Sequence, residues 1–69
     1  MEPDRTSLPF QQVLSRAIEV FEGQGRAAEW MRSPNLALSG QSPAEFLRGG
    51  GVPQALLRIL SAIERGGVV

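Results

Sequence analysis

Two one-sided apolar stripes bracket this chain, and turn-forming residues divide the stretch between them. Phe10, Val13, Leu14, Ala17, Ile18 and Phe21 recur at steps of three and four, which sets them on one face of a helix. Ser7 is placed to cap that helix. Pro9 falls in its first turn, where a missing N–H costs nothing, and Gly23 and Gly25 stop it near Glu22. Ala27, Ala28, Trp30 and Met31 fall in a window of about two helical turns and predict a short second helix. Pro34 disfavours helical geometry at Ser33 and Asn35 suits a turn, so the chain bends at Ser33-Pro34-Asn35, with Leu36 and Leu38 expected to point inward.

The sharpest local signal comes next. Ser42-Pro43-Ala44-Glu45 combines a capping serine, a proline at the first helical position and a glutamate three residues after the cap, which together open a third helix carrying Phe46 and Leu47. Gly49, Gly50 and Gly51 stop it. Val52, Leu56, Ile59, Leu60 and Ile63 form the second stripe, on a fourth helix that tolerates Pro53 in its first turn and runs to about Arg65. Gly66 suits a left-handed cap. No stretch alternates with a strand period, so the expected fold is all-α, a small bundle or orthogonal array of about four helices. Residues 1–6 read as a lead-in, 7–66 as the helical domain and 67–69 as an apolar tail.

Size and composition narrow the function. A chain of 69 residues forms one domain and buries only about 60% of the surface it exposes when unfolded. It has no cysteine and no histidine, so neither disulfides nor a structural zinc can supplement a thin core, and a partner subunit becomes the expected source of further stability. Seven arginines balance seven acidic residues scattered singly, leaving no basic stripe for nucleic acid. No apolar run approaches the roughly 20 residues of a membrane span, and the first residues lack the plan of a signal peptide. The expected setting is therefore the cytoplasm.

Enzymatic chemistry finds little support. Glu19 and Glu22 lie one helical turn apart on the polar side of the first helix, the ordinary arrangement of a solvated face. Gly23-Gln24-Gly25-Arg26-Ala27-Ala28 fits a dinucleotide fingerprint on paper, but that motif must follow a β-strand and here a helix precedes it. The triple glycine lacks the lysine of a phosphate-binding loop. No catalytic, cofactor-binding or metal-binding residue is expected.

Taken in order, Ala28, Trp30-Met31, Pro34-Asn35, Leu38, Gly40, Ser42-Pro43, Leu47, Gly51, Leu60, Ile63-Glu64 and Gly66 resemble the Xre/MbcA/ParS antitoxin family from about Ala17 onward. Met31 stands where the family pattern has leucine, Ser42 where it has threonine, and Pro53 where a non-proline residue is commoner. The resemblance implies a domain that binds and neutralises RES-domain toxins, which consume NAD+, without an upstream helix-turn-helix in this chain. It also implies that the C-terminal end, here Glu64, Arg65, Gly66, Gly67, Val68 and Val69, covers the toxin's active-site cleft. Since family members commonly dimerise, a homodimer, or an oligomerisation or adaptor domain without a toxin, is the alternative expectation.

Several residues carry two readings. Trp30 and Phe46 read as core residues before interface anchors, as do Phe21, Leu60 and Ile63, while Pro34-Asn35 and Ser42-Pro43 read as structural turns and caps. Leu57 lies off the second stripe on the helical wheel, beside Ser61 and Glu64, and reads as an exposed leucine that is either an ordinary surface residue or, next to the apolar tail, the extension of a binding patch. Arg58 and Arg65 either confer solubility or pair with acidic groups on a partner.

Overall fold

The computed structural model describes residues 8–66, which form four α-helices and one 3-10 turn, with no strand among them. Helix α1 spans Leu8–Phe21, α2 Gln24–Arg32, α3 Pro43–Arg48 and α4 Pro53–Glu64, and the 3-10 turn Leu36–Leu38 lies between α2 and α3. The fold is all-α with four helices, as the two stripes and the caps imply. The capping role read for Ser7, the lead-in 1–6 and the tail Gly67-Val68-Val69 lie outside the described residues.

Helix α1 is the hub. It packs against α4 and α2, while α3 lies mainly on α2 and touches α1. Val13 and Ala17 from α1, Ala27 and Met31 from α2, Leu38 from the 3-10 turn, and Leu56 and Leu60 from α4 make the buried core. Phe10, Leu14, Ile18, Phe21, Trp30, Phe46, Leu47, Leu57 and Ile59 are half-buried around it. Ala17 and Ala27 are both fully buried, so a larger side chain at either position would have to displace its neighbours.

The connections explain several sequence signals. Glu22 takes the left-handed conformation at φ 56°, ending α1 one residue before Gly23. Asn35 organises the bend: its Oδ1 accepts from Ala37 N–H at 2.9 Å, its N–H donates to Gln41 C=O at 3.0 Å, and its C=O accepts from Leu38 and Gly40. That arrangement satisfies a polar side chain only 8% exposed. Ser42 forms a full capping box, its Oγ accepting from Glu45 N–H at 3.1 Å while Glu45 Oε1 accepts from Ser42 N–H at 2.9 Å. Pro43 is fully buried behind it.

Three expectations need correction. Leu36 points outward and is 93% exposed, whereas Leu38 is buried. Val52 is not part of the second stripe: it is the extended N-cap of α4 and is 57% exposed. Leu57 is not an exposed outlier, because it is half-buried and packs against the core. The last two errors share one cause. With Val52 removed from the wheel, the buried axis runs between Leu56 and Leu60, and Leu57 and Ile59 become equivalent flanks about 80° to either side.

Candidate functional site

The end of α4 is where sequence reasoning put the partner-binding segment. Leu60 is fully buried one turn before Glu64, so this end is anchored to the core up to its last turn. Ile63 is half-buried, and Arg58, Glu64, Arg65 and Gly66 are exposed. The helix terminates through Arg65 N–H donating to Ser61 C=O at 3.1 Å and Gly66 N–H donating to Ile63 C=O at 2.9 Å. Gly66 holds φ 81°, the left-handed geometry that glycine adopts without a side-chain clash.

Sequence reasoning missed Arg16. This residue lies on α1, and its guanidinium grips Glu64 with both arms, Nη1 on Oε2 at 3.3 Å and Nη2 on Oε1. Nη1 also donates to Glu19 Oε1 at 3.1 Å. The hydrogen bond to Glu64, then the one to Glu19, holds the Arg16 guanidinium protonated to a higher pH than an ordinary arginine. The Arg16–Glu19 spacing was readable as a one-turn helical pair, but the link to Glu64 crosses between helices and carries no local signal.

Two open grooves on the described surface are lined by aromatic and apolar side chains. Phe21 and Trp30 meet with ring centroids 6.0 Å apart and planes tilted by 43°, lining one groove with Gly25, Arg26, Glu29 and Ser33. The other, of about 420 Å³, is lined by Phe10, Leu14, Ala28, Met31 and Ala44 with Gln11 and Arg32 at its polar edge. Pro34 is exposed beside the buried Asn35, and Phe46 lies half-buried where α3 packs. Among the described residues no group of three or more acidic, histidine or cysteine side chains could hold a metal ion, and no helix is long and apolar enough to cross a membrane.

A helical domain ending in a clamped, glycine-capped terminus coincides with a family match. Residues 16–66 match the model of the antitoxin Xre/MbcA/ParS C-terminal toxin-binding domain. The chain belongs to this family. No curated protein and no solved structure matches it. The match begins at Arg16 and runs to Gly66, so the toxin-binding domain takes in both partners of the clamp and the glycine that ends α4. Its role is that of an antitoxin domain with a toxin as partner, a regulatory one.

Proposed function

We propose that this domain neutralises a RES-type, NAD+-consuming toxin by laying its C-terminal end, from Glu64 to Val69, over the toxin's active-site cleft. Membership of the toxin-binding family carries the reading. The form of the described terminus supports it: Arg65 and Gly66 leave the helix exposed, Arg58 stands exposed about two turns earlier, and Ile63 gives the same end a half-buried apolar side chain. Beyond them Gly67, Val68 and Val69 add a permissive glycine and two apolar side chains that gain from burial against a partner. Inhibition works by exclusion, so no group on this chain needs to take part in bond making. The setting we assign is the bacterial cytoplasm, where the toxin meets NAD+.

The test measures NAD+ consumption by a RES-type toxin with and without the chain, comparing full length with a version ending at Gly66. Inhibition that falls with removal of Gly67, Val68 and Val69 supports occlusion by the end of the chain. Undiminished inhibition moves the interface to the helices, and no inhibition rejects the RES assignment. A second reading, self-association, is favoured by the exposure of Leu8 at 69% and Leu36 at 93%. Sedimentation equilibrium of the chain alone tests it, with a monomer at all concentrations rejecting it.

A further inference from the structure

We propose that Arg16 is a positioning residue for the C-terminal end, and that, within the segment from Glu64 to Val69, Glu64 is held as its internal partner, leaving contact with the toxin to Arg65 and the residues after it. The inference rests on the proposed function for its consequence, but its structural basis is independent. Glu64 is the last residue of α4, where the negative end of the helix dipole disfavours a carboxylate, and the last turn of α4 contains no basic residue ahead of the exposed C-cap Arg65. An acid in that position is unfavourable unless something else neutralises it. Arg16, 48 residues away in sequence, does so with a two-armed grip of the kind that fixes direction as well as distance.

The anchor itself is well held. Arg16 is followed by the fully buried Ala17 and lies one turn after the fully buried Val13. Glu19, on the same helix, takes a second bond from the guanidinium and restricts its rotation. The clamp thus connects the rigid middle of α1 to the residue after which α4 ends, and the next two residues form the glycine-capped turn that sets the exit path. Without it, the last turn of α4 depends on its own backbone bonds, and helix ends held that way fray. Fraying spreads the exit direction of Arg65 and Gly66 over many orientations, so a partner must order them on binding. The clamp removes that cost in advance.

The experiment uses the full chain with Arg16→Gln, Glu64→Gln, and the exchanged pair Arg16→Glu with Glu64→Arg, the exchange made in a Glu19→Gln background to avoid two adjacent acids. Two properties are read: amide hydrogen exchange at Arg65 and Gly66, with Phe46 in α3 as an internal control, and inhibition of a RES-type toxin. Each single variant should speed exchange at Arg65 and Gly66 by roughly twofold to fivefold, the scale for losing an exposed charged pair, and leave Phe46 unmoved. The exchanged pair should restore both protection and inhibition. Restored protection with inhibition still lost would make Glu64 a toxin contact and overturn the proposal, as would unchanged exchange in the single variants. If the parent chain inhibits no RES-type toxin while the exchange pattern follows expectation, the clamp stands and the toxin assignment falls.

Discussion

Two leucines separated by one residue show how local geometry decides energetics. In an extended chain Leu36 and Leu38 would share a face, but the 3-10 turn places them about 120° apart, so one enters the core and the other faces water. Leu38→Ala should therefore lower stability by about 2–3 kcal/mol in urea unfolding, while Leu36→Ala should change it by less than about 0.5 kcal/mol. Equal losses would mean that Leu36 is covered in solution. Glu22 is the complementary case, a β-carbon held in left-handed geometry beside the negative end of α1. Because glycine adopts φ 56° without that clash, Glu22→Gly should raise stability by about 0.5–1 kcal/mol despite the added freedom of the unfolded chain. A lower midpoint would show that the Glu22 side chain has a stabilising role of its own.

Helix starts divide the elements into well-capped and poorly capped ones. Helix α3 has only six residues, too few to be stable alone, and depends on the Ser42–Glu45 capping box and on packing against α2. Ser42→Ala should cost about 1 kcal/mol, with the loss concentrated in exchange protection of the α3 amides. Helix α4 opens at Val52 with no side-chain cap at all. Replacing that exposed valine with a residue that accepts from the first-turn amides and faces the positive helix end should help, so Val52→Asp is expected to add about 0.5–1 kcal/mol. No gain would mean that Val52 makes an apolar contact worth as much as a cap. Between the two helices, an added β-carbon at Gly51 would come within 2.6 Å of three carbons of the Phe46 ring, which explains a glycine there in terms of space rather than flexibility. Capping serine, first-turn prolines and glycine stops were all legible in the sequence because each acts within four residues of its target. Val52 was misread because its apolar character matched a stripe that its backbone position does not join.

At the scale of the whole molecule, periodicity disclosed which face of each long helix is buried but not which helix covers it. The all-α class and four helices were readable, whereas the pairing of α1 with α4, and with it the Arg16–Glu64 clamp, depends on tertiary packing that leaves no mark on local spacing. Of the candidate site, Gly66 was legible as a helix end, and Arg16 was invisible as a partner of Glu64. The same packing sets the limits of stability. Among the described residues only seven hydrophobic side chains and Pro43 are buried, and Leu56 and Leu60 are the largest of those that are fully enclosed. Small single-core domains hold only about 3–5 kcal/mol in reserve, and a buried leucine truncated to alanine removes about 2–5 kcal/mol. Leu60→Ala should accordingly leave the isolated chain largely unfolded by circular dichroism at 37 °C. A partner that binds only the folded state adds about 2.7 kcal/mol when its free concentration is a hundredfold above Kd, so saturating toxin should return much of the helical signal. Because Leu60 is fully buried, that recovery separates a lost fold from a lost interface: refolding by toxin places the defect in the core, and failure to recover at saturating toxin would show that binding cannot compensate for the missing side chain.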